Sequence, residues 1–185
     1  YNNAIIAAKN FPNVYVIDSK NLSTGIGLQL LKIAKLRSEG LSASAIVEKM
    51  KELSPKVRTQ FAINTLEYLH MGGRCSGTSR LFGTLLKIKP IIRVIDGAME
   101  IAKKPLGKYS KALDILLEYF ANDKDNIDPS CLAVTHSLAD EDAKYLIDKI
   151  KNEYHFANVI ETKASGVIST HCGPRTIGIL YILKE

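Results

Sequence analysis

Cysteine is scarce in this sequence and never paired in spacing. Cys75, Cys131 and Cys172 are the three it has, and none belongs to a CxxC. An odd count at such separations excludes a disulfide scaffold or a zinc ribbon and predicts a reducing compartment, the cytoplasm. His70, His136, His155 and His171 show no metal-ligand spacing, so no metal is expected. Neither GxGxxG nor GxxxxGK(S/T) occurs, which leaves nucleotide binding without a motif and predicts no cofactor. Long apolar runs are missing too. The run Ile177 to Leu183 near the end is far short of the roughly 20 residues a membrane span needs, so it reads as a buried strand and predicts no stable membrane insertion. No basic-then-apolar leader is present, so no signal peptide is expected. The net charge is +6, from 25 basic and 19 acidic residues, but the lysines are scattered, as at Lys9, Lys20, Lys32, Lys35, Lys49 and Lys51. A nucleic-acid binder concentrates its charge on one face or helix, so nucleic acid is not expected as a partner.

What is there suits a globular α/β chain. With 185 residues, 46% of them hydrophobic, the sequence can build one core and part of a second. Residues 1–10 read as the end of a helix that begins earlier, and VYVID (Val14 to Asp18) as a short strand. Ser23 or Thr24 caps a helix running to about Ser38 that carries Ile26, Leu30, Leu31 and Ile33, and Gly40 ends it. A second helix runs from Ser42 or Ser44 through Leu53, with Ile46, Val47 and Met50 on one face. Val57 to Ile63 is strand-like, Thr65 to Met71 a short helix stopped by Gly72-Gly73, and Leu81 to Leu86 helical. Ile91 to Ile95 and Met99 to Ala102 flank Asp96-Gly97, a hairpin signal that makes the sheet at least partly antiparallel. Lys108 to Phe120 is amphipathic through Ala112, Leu113, Leu116, Leu117 and Phe120, and Asp140 to Tyr154 through Ala143, Leu146, Ile147 and Ile150. Cys131 to Thr135, Val159 to Glu161, Gly166 to Thr170 and Thr176 to Leu183 complete the strands. The fold class is α/β with α+β character. A mixed sheet covered by helices forms a domain over residues 55–185, preceded by the tail of a parallel-sheet domain over residues 1–54.

Two clusters carry chemistry. In TLEYLHMGGR (65–74), paired glycines after a short helix allow positive φ at one of them, and the turn aims Arg74 at an anion or at a neighbouring domain, its planar fork suiting a carboxylate or phosphate. A plain helix C-cap accounts for the same glycines. In GVISTHCGP (166–174), His171 closes a strand at a tight turn and can donate an N–H to a carboxylate. Cys172 should face away from His171, because neighbours on an extended chain alternate, and this argues against a thiol–imidazole pair.

The order VYVIDS, STGIGLQLL, NTLEYLHMGGR, LLKIKPII with DGAMEI, and GVISTHCGPRTIGI resembles the DegV family across nearly the whole chain. These are bacterial fatty-acid-binding proteins, also called FakB. The resemblance implies two α/β domains around a buried acyl chain, a carrier rather than an enzyme, and a partner fatty acid kinase. That kinase phosphorylates the presented carboxyl to an acyl phosphate for phospholipid synthesis. It implies His171 of the THxGP motif at the head group; Thr170 of the same motif and Arg74 of the glycine turn are the further head-group candidates. Phe61, Ile63, Phe82, Leu86, Ile92 and Ile168 are then the acyl-pocket candidates for a ligand such as palmitate or oleate. The chain looks like the C-terminal two-thirds of such a protein. It departs from the family at Arg175, where a small residue is usual, and at Lys103 to Lys108 (KKPLGK), where the family carries a basic KxR element linked to kinase docking. The competing readings are a small hydrolase or transferase using His171 with Thr170, and a regulatory module with a vestigial pocket.

Overall fold

The computed structural model describes residues 1–74 and 88–184. The expected helix over 81–86, with the pocket candidates Phe82 and Leu86, lies outside them. In chain order the elements are α1 (Asn2–Ala8), α2 (Thr24–Ser38), α3 (Ala43–Leu53), β1 (Val57–Ala62), α4 (Glu67–Met71), β2 (Ile91–Ile95), β3 (Ala98–Lys103), α5 (Ser110–Asp123), β4 (Ile127–Ser137), α6 (Asp140–Tyr154), β5 (Ile160–Lys163), α7 (Gly166–Cys172) and β6 (Thr176–Leu183). The strands form one mixed sheet in the order β3-β2-β1-β6-β4-β5. Every pairing is antiparallel except β4 with β5.

The apolar run of β6 is continuous because both faces of the sheet are covered. Ile177, Ile179 and Tyr181 point into the larger core beneath α5 and α6. Leu180 and Ile182 point the other way, where they meet Leu28 of α2 with Val57, Cys131 and Ala133. The five predicted core positions of α5 are all buried, and Phe120 packs edge-on against Tyr154, Phe156 and Tyr181 at 5.2, 5.2 and 5.9 Å. Asp96 and Gly97 both take positive φ, 48° and 84°, which closes β2 onto β3 as the Asp-Gly pair predicts. Gly73, at φ 68°, turns the chain after α4, while Gly72 keeps an ordinary φ of −78°.

Three sequence expectations are corrected. Val14 to Asp18 forms no ladder with any described strand, and Val14 and Tyr15 are about half exposed. Strand identity comes from pairing, and no described strand runs beside it. In α2 the buried face is Gly25, Leu28 and Gln29, whereas Leu30 and Leu31 are exposed. That helix is apolar around much of its circumference, so spacing did not select a face. Residues 166–170 are helical rather than extended. Ser165 accepts a hydrogen bond from Ile168 N at the start, and Gly173 (φ 79°) ends the turn. A polar cap and a glycine stop outweighed the β-branched run between them. No helix among the described residues is long and apolar enough to cross a membrane.

A candidate lipid cavity

On the face of the sheet opposite α5 and α6, α4 and α7 lie side by side and, with residues of β1, β3, β4 and β6 and of the segment before α2, line a cavity of about 240 Å³. Phe61, Leu69, Met99, Val167, Ile168 and Leu180 supply its apolar wall. Polar side chains also reach it, and those of Thr59, Thr135, His136 and Thr176 are already bonded within the protein, whereas the Ser23 hydroxyl has no partner among the described residues. Thr59 donates to Asn21 Oδ1 at 2.7 Å, and Thr176 to the Cys172 carbonyl at 2.9 Å. Thr135 bonds Thr162 at 2.9 Å, which bonds Thr24 at 2.8 Å. His136 is buried; its Nδ1 accepts from Ala139 N at 3.2 Å, so the proton sits on Nε2, which faces Glu161 Oε1 at 3.3 Å. Groups bonded in this way do not ask a ligand for hydrogen bonds, so the wall behaves as an apolar surface.

His171 is the contrast. Its Nδ1 stands 2.7 Å from the Val167 carbonyl, which can only accept, so Nδ1 carries the proton. Nε2 makes no hydrogen bond among the described residues, and the side chain lines the cavity. The expectation that a neutral ring could donate to a carboxylate needs correcting at this point. Val167 takes the one N–H of the neutral ring, so Nε2 donates only in the imidazolium and otherwise accepts, for example from a protonated carboxyl.

Of the other residues singled out in the sequence, Phe61, Ile168 and Arg74 line the cavity. Ile63 and Ile92 are buried in the same apolar cluster as Phe61, behind the wall. Thr170 is exposed, and its hydroxyl donates back to the Gly166 carbonyl at 2.7 Å. Arg74 folds back onto the Gly72 carbonyl at 2.7 Å. Cys172 is buried beside His171, and burial pushes its thiol up despite the Thr176 hydroxyl. Strand alternation is not what separates the two, since neighbours on a helix sit about 100° apart. Val167 occupies His171 Nδ1, and the thiol sits 3.8 Å from the Gly173 carbonyl, so no thiol–imidazole pair forms. Arg175, the departure from the family's small residue, bonds Asp142 at 2.8 and 3.2 Å and stacks over Tyr109 at 4.7 Å.

Sequence reasoning missed Ser23, Thr59, Thr135, His136 and Thr176 as lining residues. Threonines in strands signal only sheet preference, and His136 has no local motif. Ser23 alone carries a conformational mark, φ 49° in a residue with a side chain, which a sequence does not reveal.

The model of a family described as "Uncharacterised protein, DegV family" matches residues 1–184. A DegV domain-containing protein of Staphylococcus aureus is 34% identical over 100% of this chain and 66% of its own length. Among solved structures, "Fatty Acid Binding of a DegV family Protein from Thermus thermophilus" matches with TM-score 0.85 and 26% identity over 98% of this chain and 65% of that one. "DegV, a fatty acid binding protein from Bacillus subtilis" matches with TM-score 0.83 and 26% identity over 100% and 66%. The chain spans 63–66% of the length of the first curated relatives it matches.

Proposed function

Since this chain belongs to the DegV family, we propose that the cavity takes the tail of a long-chain fatty acid and that His171 holds its carboxyl group. The single observation that carries this reading is the contrast within the cavity wall: apolar side chains and mostly satisfied polar groups, with Nε2 of His171, the Ser23 hydroxyl and the remaining Arg74 N–H groups left for a head group among the described residues. Burying about 15 methylenes at about 0.8 kcal/mol each gives on the order of 12 kcal/mol before association and ordering costs. A hydrogen bond to a charged head adds about 1.5–3 kcal/mol. The tail therefore sets affinity and the head group sets orientation. At about 240 Å³ the cavity falls under the roughly 300–1,000 Å³ usual for small-molecule pockets, so the reading includes a further wall from the remainder of the longer protein. In the same reading residues 1–54 belong with that remainder and residues 55–185 form the C-terminal domain. The bound carboxyl is then presented to a partner fatty acid kinase.

A displacement titration tests the reading. The full-length protein, loaded with a fluorescent fatty acid, should release it to palmitate or oleate at near-stoichiometric concentration. Retention of the probe against a large excess of both lipids contradicts it.

A further inference from the structure

We propose that Gly72 and Tyr68 are positioning residues for His171, and that the two sequence motifs clasp one another to fix that ring. The inference rests on the reading of His171 as the head-group ligand. Helices α4 and α7 lie side by side, and each offers a ring to a glycine of the other segment. A Cβ on Gly72 would stand 2.3 Å from His171 Cδ2 and 3.2 Å from Nε2. A Cβ on Gly173 would stand 2.3 Å from Tyr68 Cδ2. Real Cβ atoms do not approach a neighbour so closely, so both rings occupy space that only glycine leaves open.

The two glycines differ in why they are needed. Gly173 has φ 79° and ψ 174°, so its backbone also favours glycine. Gly72 has φ −78° and ψ 0°, which any residue adopts. Nothing in the backbone asks for glycine at position 72; the imidazole does. One edge of that ring is tied to the Val167 carbonyl through Nδ1, and the opposite edge, Cδ2 and Nε2, lies against Gly72. A methyl group at position 72 presses on the edge that carries the free nitrogen. Ligand geometry of this kind tolerates only about 0.5 Å of misplacement.

The test compares palmitate with hexadecanol, which share a tail and differ at the head, in the full-length protein and its variants. Gly72→Ala should weaken palmitate about tenfold or more, the loss of one hydrogen bond to a charged head, while hexadecanol, whose hydroxyl can at most donate a neutral hydrogen bond to Nε2, loses several-fold less. The double variant Gly72→Ala/His171→Ala should bind palmitate as His171→Ala does, because the two changes remove one interaction. Equal weakening of both lipids, or additive losses in the double variant, overturns the proposal. If the wild type binds neither lipid, the fatty-acid reading itself fails. The clasp is then judged by the ring nitrogen NMR signals of His171: a shift in Gly72→Ala supports it, and an unchanged spectrum overturns it. Should Gly72→Ala not fold, Tyr68→Leu removes the reciprocal ring. It should reduce palmitate discrimination and move the His171 signals, and no change in either counts against the proposal.

Discussion

At the scale of the residue, the proton on His171 decides what the cavity can hold. With Nδ1–H engaged by Val167, Nε2 of the neutral ring is an acceptor. A carboxyl group binds there either as carboxylate against an imidazolium or as a carboxylic acid donating to Nε2. Both arrangements hold one proton more than a neutral ring and a free carboxylate. At a pH where the free ring is neutral, binding should therefore take up about one proton. Calorimetry in buffers of different ionisation enthalpy reads the uptake, and its absence contradicts the head-group role. His171→Ala should weaken fatty-acid binding by about 1.5–3 kcal/mol without abolishing it, because tail burial remains. Cys172→Ala should leave the affinity nearly unchanged and cost about 1 kcal/mol of stability from the buried cluster. Loss of binding in Cys172→Ala with His171→Ala intact would reverse the assignment.

At the scale of the element, α2 is held to the sheet by a charge pair as well as by Leu28. Lys32 on α2 bonds Asp128, where the register of β4 shifts around Pro129. Burial alone would raise the Asp128 carboxyl, but the Lys32 ammonium with the Ser130 hydroxyl and amide outweighs it and holds it at about 2. An unfolded aspartate titrates near 3.9, so the folded value is the lower one and the pair contributes stability above about pH 4. That contribution, on the order of 1–2 kcal/mol, is lost as pH falls from about 4 towards 2. Lys32→Met should flatten the acid limb of a plot of melting temperature against pH; an unaltered limb would show that the pair contributes nothing. The elements also show what the sequence makes legible. Helices α5 and α6 and the Asp96-Gly97 hairpin follow from strong spacing and turn chemistry. Helix α7 is illegible in the spacing because Val167, Ile168 and Thr170 favour strands, whereas Ser165 and Gly173, which frame the helix, are single residues. The cavity was half legible: Phe61, Ile168, Arg74 and His171 came from the two motifs and the apolar supply. Thr59, Thr135 and His136 reach it only because strands distant in sequence lie side by side.

At the scale of the whole molecule, the outer surface is as informative as the cavity. Ile6, Phe11, Val14, Leu30 and Leu31 are exposed, and the first, second and fourth are about 60% so. Exposed apolar side chains in such number favour association. The 185-residue chain alone should therefore self-associate and bind a fluorescent fatty acid more weakly than the full-length protein. Equal affinity would show that these residues already build the whole pocket. The fold places an apolar cavity on one face of the sheet and, among the described residues, an unpartnered imidazole nitrogen at its wall, and a carrier for a long-chain carboxylic acid is the function proposed from that pair of facts. The most direct measurement is mass spectrometry of the organic extract of the full-length protein purified without added lipid. The account predicts about one long-chain fatty acid per protein molecule, reduced in His171→Ala. An extract with no fatty acid, from protein that also fails to take up added palmitate, would contradict it.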